Sequence, residues 1–225
     1  GDTGDNVRSL QYFLAVIAEF YEAVPSIEIT GVFDEPTRDA VIAFQNIYGL
    51  DPDGRYICFS IRQWKDFDNY QAFAEAADYA WSTYGLETVF MPIEQPSDIP
   101  PSQKTAQLMH CRSHFLPAPD YVELTMAVRR RMKLVCAMRL HALVFSAAAN
   151  TPFLAVSYDI KVSSFMKYVG NPSCCDLTEV TGAFLCRQID RIMRQPEDYQ
   201  NYVLRLQALE AENTRAAREL LGAAE

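Results

Sequence analysis

Histidine is scarce in this chain, three residues in 225, and basic side chains are outnumbered, 20 Lys and Arg against 29 Asp and Glu. A net charge of -9 argues against nucleic acid as a general partner, because such binders must neutralise phosphates. No apolar run reaches the ~18 residues of a membrane span. No basic segment precedes an apolar one at the start, so neither a span nor an export signal is expected. The six cysteines lack Cys-x-x-Cys spacing, and the adjacent Cys174 and Cys175 cannot form an ordinary disulfide framework. Small buried thiols in a reducing cytosol are therefore expected. His110, Cys111 and His114 resemble a metal cluster on paper. The only other histidine is His141, so no metal is expected.

What is present is apolar and unevenly charged. Hydrophobic residues make up 49% of the chain, which predicts a packed core rather than disorder. The length allows one large domain or two smaller ones. Residues 1–54 carry ten acidic residues and two arginines, whereas the remainder carries 19 acidic and 18 basic residues and every cysteine. That shift places a boundary at 54/55.

In the first segment, Val7, Leu10, Leu14, Ile17 and Ala18 recur at helical spacing, so residues 6–22 read as an amphipathic helix with Asp5 as N-cap. A short extended piece at 27–29, a turn at 30–34 and a second helix follow. Pro36 lies in that helix's first turn, and Ala40, Val41, Phe44 and Ile47 share a face. The pattern Gly-Asp-x-Gly-x-x-Val-x-x-Leu-Gln, then Thr-Gly-Val-Phe-x-x-x-Thr-Arg-x-Ala-Val-x-x-Phe-Gln, resembles the small helical peptidoglycan-binding domain. The resemblance covers residues 1–54 and implies a cell-wall polymer as partner. A helical cap without a ligand is the alternative.

From Tyr56 onward, apolar runs alternate with helical patterns. Strands are expected at 56–61, 88–93, 134–137 and 153–156, with a short one at 121–124. Helices are expected at 67–84 (capped by Asp66), 102–113, 125–131, 140–149, from Lys161, at 176–194 and from Pro196. The alternation predicts a mostly parallel sheet with helices on both faces. Arg139 and His141 follow the 134–137 strand and open an Ala-rich helix. Ligands in such sheets gather at strand carboxyl ends and helix N-termini. An Arg with a local carboxylate partner beside a core His is the alternative. Arg62 closes the 56–61 strand, Gln95 and Asp98 lie in the loop after the second strand, and Tyr158, Asp159 and Lys161 follow the 153–156 strand. Capping is the favoured role for Asp159. Arg129–Arg131 reads as a solvated basic run. The last helix carries an apolar stripe (Tyr199, Val203, Leu206, Leu209, Ala216, Leu220) that needs a partner.

Met138-Arg139-Leu140-His141-Ala142-Leu143, followed by Ser157-Tyr158-Asp159-Ile160-Lys161-Val162, resembles the carboxyl-terminal half of the polysaccharide pyruvyl transferase family, from about Tyr56 onward. Those enzymes transfer pyruvyl from phosphoenolpyruvate to a sugar as a cyclic ketal. The resemblance implies a Rossmann-like α/β lobe of a GT-B-like fold at 55–225, beside the small all-α domain at 1–54. It implies phosphoenolpyruvate as donor substrate with no cofactor. His141 would be the general acid, and Arg62, Arg139, Leu140, Lys161, Gln95 and Tyr158 would bind substrate. The family has two such lobes. Here a 54-residue module stands where the acceptor lobe belongs, so weak or absent catalysis by this chain alone is expected. A non-catalytic wall-binding protein with a relic lobe stays open, as does a nucleotide-sugar transferase lobe. The donor suggests a cytoplasmic location, and wall binding suggests the cell wall or spore.

Overall fold

The computed structural model describes residues 2–19, 21–47, 55–94, 96–116, 132–199 and 202–220, which divide into two compact units, 1–54 and 55–225. The expected strand at 121–124, the helix at 125–131 with its Arg run, and Gln95 lie outside these residues. In the first unit, helix α1 is Asp5–Ala18 and α2 is Glu35–Ile47. Val7, Leu14 and Ile17 on one helix and Ala40 and Phe44 on the other are buried, with Val24 between them in sequence. The centre also holds an amide. Gln11 is fully buried; its Oε1 accepts the Gly31 N–H at 2.7 Å, and its Nε2 donates to Val32 O at 2.9 Å and Thr37 Oγ1 at 2.8 Å. Asp5 is the first helical residue rather than the cap, and Gly4 precedes it without a side-chain cap.

The second unit is built on strands that are apolar through and through. Tyr56–Ser60 (β1) is buried at every position, as is Phe153–Ser157 (β5), the pattern of strands covered on both faces. With Glu87–Phe90 (β2), Ser113–Phe115 (β3), Met132–Ala137 (β4) and Cys174–Asp176 (β6), they form one six-stranded sheet in the order β3-β2-β1-β4-β5-β6. Every described pairing is parallel. Helices α3 (Gln71–Tyr84), α4 (Ile99–Leu108), α5 (Leu140–Ala148), α6 (Ile160–Val169), α7 (Gly182–Arg194) and α8 (Tyr202–Leu220) complete the unit. From β1 the chain runs outward to β3, and from β4 outward the other way to β6. Right-handed crossovers in opposite directions put α3 and α4 on one face and α5 and α6 on the other.

Several boundaries differ from expectation. Helix α3 starts four residues beyond its expected start, after Tyr70, so Asp66 is not its cap, and Trp81, expected on the inner side, is 46% exposed. Gly85 ends α3 in the left-handed conformation, where glycine has no Cβ penalty. Helix α4 begins earlier, with Pro100 and Pro101 in its first turn, and ends early enough for β3 to follow. Residues expected at the start of the 176–194 helix instead finish β6 and turn, and α7 starts at Gly182 under a Thr181 cap. Pro196–Tyr199 is a separate 3-10 turn before α8. The stripe of the last helix is partly covered: Tyr199 is buried and Leu206 and Leu209 are half-buried, Tyr202 beside them is buried with its ring 5.2 Å from that of Phe153, and α8 packs on α5 and α6. The side chains of Val203, Ala216 and Leu220 are outside the described set.

Candidate functional site

The two directions of winding meet between β1 and β4, the pair that registers Ser60 against Ala137. Connections leave this point to opposite faces and open a crevice at the strand carboxyl ends, where open α/β sheets bind ligands. Arg62 leaves β1 there, and Arg139, Leu140 and His141 leave β4 there.

Arg62 is half-buried. Its Nη1 donates to Tyr158 Oη at 2.7 Å, across 96 residues of sequence. Its guanidinium lies 4.6 Å from the Tyr158 ring centroid and 5.0 Å from that of Trp64, and these rings are 4.6 Å apart. Two aromatic faces thus hold the cation by its π-facing side. Among the described residues no carboxylate lies within ion-pair distance of it.

Arg139 is different. It is 7% exposed and is held by the loop after β2. Its Nε donates to Asp98 Oδ1 at 3.1 Å and Oδ2 at 2.9 Å, its Nη2 also bonds Asp98, and its Nη1 pairs with Glu94. Asp98 is wholly buried, and its Oδ2 also accepts the N–H groups of Ile93 at 3.2 Å and Glu94 at 3.0 Å. Burial opposes the Arg139 charge, but Asp98 and Glu94 outweigh it and hold the guanidinium pKa above its ordinary value. Arg139 therefore does not stand as a free cation at the edge: Asp98 is buried against it, and Glu94 covers its outer nitrogen. A local carboxylate partner is what the structure shows.

His141 is the second residue of α5 and is exposed, its ring 6.4 Å from that of Phe145. Leu140 opens that helix, and Arg139 is its N-cap, with no side-chain cap bond. The first N–H groups of α5 therefore face the crevice without a side-chain partner. Asp159 caps α6 by accepting the Lys161 N–H at 2.9 Å, and the Lys161 side chain is exposed. Ser157, Tyr158, Asp159, Ile160, Asp176 and Glu179 help line a cavity of about 580 Å³ beside this edge. The structure therefore joins Arg62 to Tyr158, keeps His141 and Lys161 on the same carboxyl edge, and assigns Arg139 to Asp98.

Asp98 and Glu94 are the residues that sequence reasoning undervalued. The available signal was Arg139 itself: a cation following an apolar strand needs a carboxylate, and the loop after β2 ends at the same sheet edge. Elsewhere, His110 Nδ1 meets Asp78 at 2.8 Å and His114 Nε2 meets Glu87 at 2.7 Å, so each histidine of the suspected cluster has its own carboxylate. Burial pushes the Cys111 and Cys175 thiols up to about 12, which makes them poor thiolates.

Residues 3–56 match the model of the "Putative peptidoglycan binding domain". A comparison with curated proteins gave no match. Among solved structures, the chain is similar to UDP-GlcNAc 2-epimerase from Neisseria meningitidis bound to UDP-GlcNAc, with 9% identity, TM-score 0.55, and 89% of this chain and 49% of that one covered. A S. aureus MnaA–UDP co-structure matches at 10% identity and TM-score 0.52, over 90% and 46% of the two chains. The glycosyl transferase family 9 protein from Veillonella parvula matches at 16% and 0.51, over 77% and 57%. The chain thus spans about half the length of the solved structures it matches. These likenesses are of fold: a Rossmann-like lobe of the GT-B type. Pyruvyl transfer is named in none of the three.

Proposed function

We propose that the second unit is the donor-binding lobe of a pyruvyl transferase acting on a cell-wall polysaccharide, and that the first unit holds it to peptidoglycan. The observation that carries this reading is Arg62: a half-buried cation at the switch point, fixed by Tyr158 and Trp64, with no carboxylate partner among the described residues. Such a group is suited to a phosphate or carboxylate oxygen. Lys161 adds charge and α5 adds N–H groups, while Leu140 opens that helix. His141 acts as general acid. As sugar hydroxyls attack the central carbon of phosphoenolpyruvate, a proton must reach the enol carbon or the departing phosphate, and an imidazole at this edge can supply it. A cytoplasmic location goes with this donor.

Calorimetric titration of phosphoenolpyruvate tests the reading. Arg62→Ala should weaken binding at least tenfold, while His141→Gln should bind normally and lose turnover in the presence of an acceptor lobe. Unchanged binding by Arg62→Ala would sink it. A second reading, a wall-binding protein with a relic lobe, is favoured by the two carboxylates already on Arg139. Retention on insoluble peptidoglycan without any donor binding would select it, together with a location at the wall.

A further inference from the structure

The two carboxylates on Arg139 differ in kind. Asp98 is inaccessible, grips the Nε and Nη2 edge, and is itself pinned by two backbone N–H groups. Glu94 meets only Nη1, its side chain is 60% exposed, and among the described residues its carboxylate has no other partner. In the pair with Glu94 only the carboxylate is in solvent, so water can replace Arg139 as its partner. Breaking a buried pair leaves a charge without water or partner. Any anion arriving at the crevice can therefore replace Glu94 but not Asp98.

We infer that Glu94 is a displaceable stand-in for the ligand: its carboxylate covers the outward edge of Arg139 until a ligand carboxylate or phosphate takes that place, while Asp98 keeps the guanidinium aimed. This rests on reading the switch point as an anion site and adds a selectivity to it. With Glu94 on Arg139 the pocket repels weakly held anions.

The test is calorimetry with phosphoenolpyruvate and with inorganic phosphate on the full chain, as wild type, Glu94→Gln and Glu179→Gln. Glu179 is an exposed carboxylate near the same edge that does not touch Arg139, and its variant controls for bulk charge. Glu94→Gln should bind at least one probe about three- to tenfold more tightly, as expected from removing the competing carboxylate and its repulsive charge, and Glu179→Gln should not. Equal affinity in wild type and Glu94→Gln overturns the inference, as does equal tightening in Glu179→Gln. If phosphate tightens while phosphoenolpyruvate never binds, the stand-in survives and the pyruvyl-transfer reading falls. If neither probe binds any variant, both fall.

Discussion

Removing one partner of a buried ion pair costs more than the pair itself contributes, because the remaining charge stays desolvated. Arg139 and Asp98, 41 residues apart and both buried, meet that condition. Asp98→Asn should lower unfolding stability by about 3–5 kcal/mol, read as a shift of the urea midpoint at constant slope. A loss under about 1 kcal/mol would mean that Glu94 or water satisfies the guanidinium instead. The residue types at this corner were legible: a strand ending in Met138 and followed by Arg139 and His141 marks a strand-to-helix junction at a sheet edge. What could not be read was which carboxylate arrives. That depends on the loop after β2 lying beside the end of β4, a neighbourhood created by β1 standing between the two strands. Arg62 and Tyr158 were each singled out locally, yet their contact also follows from strand order alone.

Helix α3 is tied to α7 by a carboxylate that receives two phenols. Asp190 Oδ1 accepts from Tyr79 at 2.5 Å and Tyr84 at 2.6 Å. These bonds hold the Asp190 carboxyl below its ordinary 3.8. A carboxyl lowered on folding stabilises the native state fully above its unfolded value and loses that contribution as pH falls through the lowered one. Stability should thus begin to fall below about pH 4, and Asp190→Asn should flatten that acid limb in urea midpoints measured from pH 5 to 2. An unchanged limb would assign it to other carboxylates, Asp78 and Asp176 being lowered too. At this scale β1, β4 and β5 were legible because each holds a buried apolar run, Leu134–Ala137 in the case of β4. The outer strands were not. Ser113–Phe115 and Cys174–Asp176 have three residues each, partly exposed, too short for either periodicity to register. Helix α4 was misplaced because Pro100 and Pro101, ordinary stop signals, are tolerated in a first turn.

Each unit has its own core, and the first depends on one amide. Gln11→Ala removes every side-chain bond that joins α1 to Gly31, Val32 and Thr37, and a domain of this size has little surplus stability. The variant should lose co-sedimentation with insoluble peptidoglycan while phosphoenolpyruvate titration is unchanged; parallel loss of both would mean that the two activities are not separable. The charge contrast across residue 54 was visible in the sequence because acidic residues are concentrated before it. The strand order has a further consequence, in time rather than in space. During synthesis β1 acquires β2 as a neighbour early, and β2 acquires β3, but the other edge of β1 stays open until Met132–Ala137 emerges. Non-local pairings of this kind are slow to close, and an unpaired apolar strand is a template for wrong partners. The centre of the sheet, which forms the crevice, therefore closes only after the β1–β2–β3 half is complete, and until then the nascent chain is open to misassembly at the very strand that Arg62 follows.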